Sequence, residues 1–157
     1  MAIRTIRTVG DRVLTKTCRP VEEVNGKINQ LIDDMFETMY DANGVGLAAP
    51  QVGILKRIVV IDVDGNPYLL INPEILETSG EQTGSEGCLS LPGKSGIVTR
   101  PNYVKVRAFD REMKPFELEG TELLARCICH ECDHLDGHMY MEKVEGELMD
   151  STYDDEE

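Results

Sequence analysis

The segment 121–137 restricts the fold of this chain more than any other, because it is predicted to be a helix with two apolar faces. At ~100° of rotation per residue, one face carries Leu123, Cys127, His130, Glu131 and His134. The opposite face carries Ala125, Ile128, Cys132 and Leu135. Both apolar faces must be buried away from water, so we expect a buried helix packed between layers of the remaining chain.

The same segment contains an H-E-x-x-H pattern formed by His130, Glu131 and His134. Histidines four residues apart lie one turn above each other on a helix, where two imidazoles can bind one metal ion. A glutamate beside them can act as a general base on water. The pattern therefore favours metal-assisted hydrolysis over a pair of hydrogen-bonded core histidines.

The third metal ligand is left open by the spacing alone. A metzincin ligand would fall at position 140, which is Tyr140, and His138 lies ~12 Å along the axis from His130. Cys88, in a predicted loop bounded by glycines, is the preferred candidate and would give a Cys-His-His site with an open position. Two alternatives remain: a small metallopeptidase with a later ligand, and a non-catalytic zinc domain closed by Cys127 or Cys129.

The rest of the pattern predicts one α+β domain with antiparallel sheets around the central helix. Apolar spacing predicts a helix over 28–40, ended by Asn43 and Gly44, and Thr121 is placed to cap the central helix. The glycine-rich segment 44–53 indicates a close approach of backbone to another segment or a ligand. Strands are expected at 54–63, 68–71, 72–78, 97–99, 103–109 and 116–118.

Length and charge narrow the class of protein further. The 157 residues suit one catalytic domain, predicted over 1–147, followed by an acidic and poorly ordered tail over 148–157. With 29 acidic against 16 basic residues, we expect no stable nucleic-acid binding. No apolar run could span a membrane, and no secretory signal is recognisable. The five cysteines are an odd number, which is unlike a secreted disulfide framework. A cytoplasmic monomer is expected.

Three segments together resemble the motifs of the bacterial-type peptide deformylases, in the same order and at similar spacing. They are G-V-G-L-A-A-P-Q at 44–51, E-G-C-L-S at 86–90 and H-E-C-D-H at 130–134. The resemblance implies a metal enzyme that hydrolyses the N-formyl group of N-formyl-methionine on new polypeptides and releases formate.

The resemblance also implies roles for individual residues. Cys88, His130 and His134 would bind one divalent ion, with Fe(II) the expected native metal and zinc or nickel able to replace it. Glu131 would be the general acid and base. The Gln51 amide and the Leu89 backbone N–H would stabilise the oxyanion.

The substrate would lie in an apolar pocket beside these groups. Gly44 and Gly46 would leave backbone free to pair with an extended peptide. Val45, Leu123, Arg126 through its aliphatic stem, and Cys127 would form the walls.

Two positions depart from the family pattern. Cys129 replaces the usual glutamine before the first histidine, and we expect activity to survive with greater sensitivity to oxidation. The acidic C-terminus differs from the basic helix by which some members contact the ribosome, so any ribosome contact is expected to be transient and of another kind.

Overall fold

Two antiparallel sheets and two α-helices form residues 2–150, the part of the chain that the computed structural model describes. The helices are α1 (Gly26–Asp41) and α2 (Glu122–Leu135). The strands are β1 (Gly46–Ala48), β2 (Ile58–Val63), β3 (Asn66–Ser79), β4 (Gln82–Cys88), β5 (Leu91–Arg100), β6 (Tyr103–Phe109), β7 (Pro115–Thr121) and β8 (Glu145–Asp150). Short 3₁₀ helices cover Arg12–Thr15, Ala49–Val52 and Tyr140–Glu142.

The strands form a five-stranded sheet in the order β1-β2-β3-β6-β7 and a three-stranded sheet in the order β4-β5-β8. Every paired strand in both sheets is antiparallel. This confirms the predicted α+β fold with antiparallel sheets around the helix that carries H-E-x-x-H.

The five-stranded sheet is covered on both faces, which explains the continuous apolar run of β2. Val59 and Ile61 pack with α2, whereas Ile58 and Val60 pack with α1. Helix α1 begins at the cap Asn25, whose side chain accepts a hydrogen bond from the backbone N–H of Ile28 at 3.0 Å. The predicted stop after α1 is confirmed by Asn43, which has a φ of 57°.

Helix α2 lies in the interior, as its two apolar faces predict, and it contacts strands of both sheets. Thr121 is its N-cap residue, but the Thr121 side chain makes no capping hydrogen bond. Beyond its C-terminal end, Gly137 has a φ of 82° and lies so close to Thr15 that an added Cβ would be 2.6 Å from the Thr15 carbonyl oxygen. Leu123 departs from the prediction, since it is 44% exposed.

Several predicted element bounds are wrong for identifiable reasons. The strand predicted from position 54 begins at Ile58, because the preceding residues bond to the N-terminal segment: Arg19 N–H donates to the Leu55 carbonyl at 3.1 Å. The two segments predicted at 68–71 and 72–78 are one strand, β3, interrupted by a bulge at Asn72, where φ is 51°. The segment around Cys88, expected to be a loop, is the end of β4, a tight turn and the start of β5.

The last strand, β8, spans the predicted boundary at 148, since it runs through Asp150 and pairs with β5. Two acidic side chains of β8 have partners on β5: Asp150 pairs with Lys94 at 2.5 Å, and Glu145 accepts from the Thr99 hydroxyl. Residues 151–157 of the predicted tail lie outside the described residues, and the division into domain and tail stays a prediction. Within residues 2–150, neither helix has the length and apolar character needed to cross a membrane.

Candidate metal centre and active site

Cys88, His130 and His134 converge from two different parts of the fold. Their ligand atoms all lie within 4.8 Å of one another, and the Cys88 Sγ is 3.3 Å from His134 Nε2. The two imidazoles come from successive turns of α2, with ring centroids 5.0 Å apart, while Cys88 ends β4. A thiolate with two imidazoles is a donor set that suits iron, zinc or nickel, so these residues fit a single bound divalent ion.

The cluster has three ligands, which distinguishes it from a closed structural zinc site. Among residues 2–150, the cysteine, histidine and carboxylate groups close enough to share an ion are these three alone. Cys127 and Cys129, the candidates for a fourth ligand, are buried in α2 outside the cluster. A centre with three protein ligands keeps a coordination position open for water or substrate.

A buried carboxylate orients His130. Glu86 Oε1 lies 2.9 Å from His130 Nδ1, and a carboxylate accepts, so Nδ1 carries the proton and leaves the Nε2 lone pair available to a metal. Burial would raise the pKa of Glu86, but hydrogen bonds from His130 and Arg100 outweigh it and hold that pKa at about 2. Glu86 is therefore ionised at neutral pH and keeps His130 in one tautomer.

Two arginines hold Glu86 in place. Arg100 donates to both Glu86 oxygens, from Nε at 2.8 Å and from Nη2 at 3.0 Å, and Arg126 Nη1 donates at 2.6 Å. Arg100 also donates to Asp133 of α2 at 2.7 Å. This network ties β4 and β5 to the helix, so that Cys88 and the two histidines keep a fixed relative position.

Glu131 lies beside the cluster and is buried. Burial is the main reason why its pKa is raised to about 7, which lets its carboxyl group exchange a proton near neutral pH. Its Oε1 atom has no hydrogen-bond partner among the described residues. This oxygen is therefore available to accept a hydrogen bond from a water or a substrate.

The glycines of segment 44–53 are explained by this carboxylate and by Leu89. A Cβ on Gly46 would lie 2.6 Å from Glu131 Oε2, and a Cβ on Gly44 would lie 2.7 Å from Leu89 Cδ1. Both distances are far below a van der Waals contact. The sequence predicted a close approach to another segment or a ligand, and the approach in the structure is to other segments.

Gln51 is held rigidly next to Cys88. Its Oε1 accepts from the Ala48 N–H at 2.9 Å, and its Nε2 donates to the Ser90 hydroxyl at 3.0 Å and lies 3.6 Å from the Cys88 Sγ. Leu89 follows Cys88 in the turn between β4 and β5. Both predicted oxyanion donors therefore belong to residues next to Cys88.

A cavity of about 500 Å³ opens onto the cluster. Every residue predicted to contact substrate lines it: Gly44, Val45, Gly46, Leu123, Arg126 and Cys127. Arg126 differs from the prediction in one respect, since its guanidinium is buried against Glu86 and also donates to the Val98 carbonyl at 3.2 Å. The cavity also reaches residues that the sequence did not single out as pocket walls, among them Pro92, Lys94 and Ser95 of β5.

Comparison with known proteins decides the family. The family model described as polypeptide deformylase matches residues 3–148, which include all three motifs. The chain belongs to the polypeptide deformylase family. A peptide deformylase of Agathobacter rectalis is 71% identical over 155 residues, covering 99% of this chain and 98% of that protein. One of Lachnoclostridium phytofermentans is 69% identical and covers 100% of this chain and 99% of that protein.

Solved deformylase structures have the same fold. The crystal structure of the Legionella pneumophila enzyme gives a TM-score of 0.89 at 46% identity and covers 91% of this chain and 86% of that chain. The Synechococcus elongatus enzyme, solved in complex with actinonin, gives 0.87 at 44% identity and covers 90% and 78%. The predicted family, fold and enzyme class are therefore confirmed.

The charge network around Glu86, which supports the cluster of Cys88, His130 and His134, was not predicted from the sequence. Glu86 belongs to the second motif, two residues before Cys88, but the motif alone does not predict its role. Arg100 and Asp133 carry no pattern that would pair them with Glu86. Tyr140 was considered only as a failed metzincin position, but it is buried and stacks on His130 with ring centroids 5.8 Å apart.

Proposed function

We propose that this chain removes the formyl group from N-formyl-methionine at the start of new polypeptides and releases formate and a free α-amine. Family membership supports the activity. The observation that carries the proposal is a three-ligand cluster with a buried glutamate beside it, both open to a cavity that can admit a peptide end. A structural zinc domain would give neither the open position nor Glu131 a role.

Cys88, His130 and His134 would hold one divalent ion, with Fe(II) as the native metal and zinc or nickel as substitutes. Such an ion lowers the pKa of a water ligand and polarises a carbonyl oxygen. The thiolate and the imidazoles suit all three metals, so the choice of iron rests on the family resemblance.

Glu131 would move the proton in the reaction. Its carboxylate takes a proton from the attacking water and returns it to the departing α-amine. A pKa raised by burial suits both steps, because the group must be a base first and an acid afterwards. Because Gly46 has no Cβ, this carboxylate can lie directly against the backbone of β1.

Gln51 and Leu89 would stabilise the charge that develops on the formyl oxygen. Both lie next to Cys88, and Gln51 is fixed by its bonds to Ala48 and Ser90. A positioned donor of this kind is commonly worth about 3 kcal/mol of transition-state stabilisation. The amide nitrogen of Gln51 would have to exchange its contact with the Cys88 sulfur for the substrate.

The peptide would enter along β1, the edge strand of the five-stranded sheet, where Gly44 and Gly46 leave backbone free to pair. The methionine side chain would occupy the cavity between Val45, Leu123 and Cys127. We also propose that the protein acts in the cytoplasm as a monomer, with transient ribosome contact and no stable binding to nucleic acid.

Formate release tests the proposal. Protein loaded with metal without oxygen is incubated with formyl-Met-Ala-Ser and, in parallel, with acetyl-Met-Ala-Ser. We expect formate from the first peptide and little cleavage of the second. Glu131→Ala should keep the metal and lose turnover. Fully metallated protein that releases no formate would refute the proposed function.

A further inference from the structure

The N-terminal segment 2–11, here called the N-terminal arm, is anchored at its beginning to helix α1. Arg4 forms an ion pair with the buried Asp34 at 2.9 Å, and its backbone N–H donates to the Thr38 hydroxyl at 2.9 Å. The backbone N–H of Ala2 also donates to Asp34 at 2.8 Å. A charge-assisted bond to a buried carboxylate is stronger than an ordinary surface contact, so the arm has a defined position.

The arm then bonds to both segments that carry the proposed oxyanion donors. Arg7 N–H donates to the Gln51 carbonyl at 2.6 Å, and Val9 N–H donates to the Ser90 carbonyl at 2.8 Å. Residues two apart in an extended chain direct their N–H groups to the same side, which allows one arm to bridge both carbonyls.

The two bridged segments are also bonded to each other. Gln51 Nε2 donates to the Ser90 hydroxyl at 3.0 Å, and Ser90 N–H contacts the Cys88 sulfur at 3.4 Å. With the arm in place, Gln51 and Ser90 are both buried, at 1% and 0% exposure, so the arm covers their carbonyls. A small movement of the arm would therefore move Gln51 and Leu89 relative to the cluster.

We infer that the N-terminal arm is a positioning element for the oxyanion site, acting through the N–H groups of Arg7 and Val9. This inference rests on the proposed function, because it assigns the arm to the donors of that reaction. The arm has no contact with the reacting atoms. It sets the position of Gln51 through the bond from Arg7 to the Gln51 carbonyl. It sets the position of Leu89 through the bond from Val9 to the neighbouring Ser90.

A turn at the end of the arm permits a clean test. Asp11 N–H donates to the Thr8 carbonyl at 3.0 Å, and Gly10 has a φ of 109°, which is the pattern of a type II turn. Val9 occupies its second position, where proline is favoured. Val9→Pro therefore preserves the turn while it deletes the N–H group that donates to the Ser90 carbonyl. Val9→Ala is the matched control, since it keeps that N–H group.

Steady-state kinetics on the metal-loaded enzyme give the decisive comparison. We expect Val9→Pro to lower kcat by about tenfold or more, with KM and zinc affinity, measured against a chelator, within about twofold of the parent. Val9→Ala should match the parent in all three. A merely structural role would lower thermal stability and metal affinity together and would not single out kcat.

The outcomes separate the two proposals. A parent enzyme without formate release refutes the proposed function, whereas an active parent and a Val9→Pro enzyme with unchanged kcat overturn only the role of the arm.

Hydrogen exchange over 88–92 checks the mechanism independently of activity, and it should be faster in Val9→Pro than in Val9→Ala. If Val9→Pro does not fold, Arg4→Ala removes the ion pair that anchors the beginning of the arm. It should lower kcat about threefold, and unchanged kcat there overturns the inference.

Discussion

Gly46 is the residue at which a missing side chain matters most. Its backbone has an ordinary φ, so its identity is not required by a left-handed conformation. What requires glycine is the Glu131 carboxylate, which occupies the place where a Cβ would stand. The position of the proposed general base therefore depends on a residue more than 80 positions earlier in the chain.

We predict that Gly46→Ala lowers kcat by ~10- to 100-fold, because the added methyl group must displace the Glu131 carboxylate by a substantial part of an ångström. Metal content should be unchanged, since no ligand is touched. Gly26→Ala is the control, because a Cβ there meets nothing within 4 Å. Formate release by the two variants checks this, and kcat within twofold of the parent in Gly46→Ala would contradict it.

Glu86 links the charge network to the metal ligands. We predict that Glu86→Gln weakens metal binding by about 10- to 100-fold, because an amide holds the His130 tautomer less firmly than a carboxylate does. It should also lower the free energy of unfolding by about 3 kcal/mol, because the buried Arg126 loses its counter-ion and Arg100 keeps only Asp133.

Chelator competition and urea unfolding measure the two effects of Glu86→Gln. The control is Glu117→Gln, which removes an exposed ion pair with Lys105 and should leave stability nearly unchanged. Metal affinity equal to that of the parent in Glu86→Gln would show that Glu86 does not orient His130.

At the scale of elements, helix α2 was the most predictable part of the molecule. Its apolar faces predicted burial, and its histidine spacing predicted the ligand pair, because both depend only on helix geometry. The strands were predictable in position but not in length. The bulge in β3 and the pairing of 54–57 with the N-terminal segment depend on contacts between segments distant in sequence, which no local pattern records.

The cysteines of α2 change one expectation. Cys129 was expected to increase sensitivity to oxidation, yet it is only 7% exposed, and burial raises the pKa of its thiol to about 11. Thiolates are the species that react with oxidants and alkylating agents. Burial therefore protects Cys129, and Cys88 is the most accessible of the five thiols.

We predict that iodoacetamide modifies Cys88 first in metal-free native protein, and that saturating zinc slows this reaction by about tenfold or more, because a coordinated thiolate is withheld from the reagent. The other four cysteines should react only after unfolding. Peptide mapping by mass spectrometry reads out each site. Alkylation of Cys88 at the same rate with and without zinc would contradict its role as a ligand.

At the scale of the whole molecule, the site lies where two sheets meet one helix. The five-stranded sheet contributes Gly46, the three-stranded sheet contributes Cys88, and α2 contributes the histidines and Glu131. The sequence could identify these residues by motif and resemblance. It could not reveal the arm, the arginines or Tyr140, because their roles arise only once separate segments are packed together.

The central claim is that one metal ion, held by Cys88, His130 and His134, is required for formate release. Metal-free protein is titrated with Fe(II) without oxygen, and the rate of formate release from formyl-Met-Ala-Ser is measured at each addition. We predict no activity at the start, a linear rise, and a break at one ion per chain. Activity in the metal-free protein, or a break at a different stoichiometry, would contradict the account.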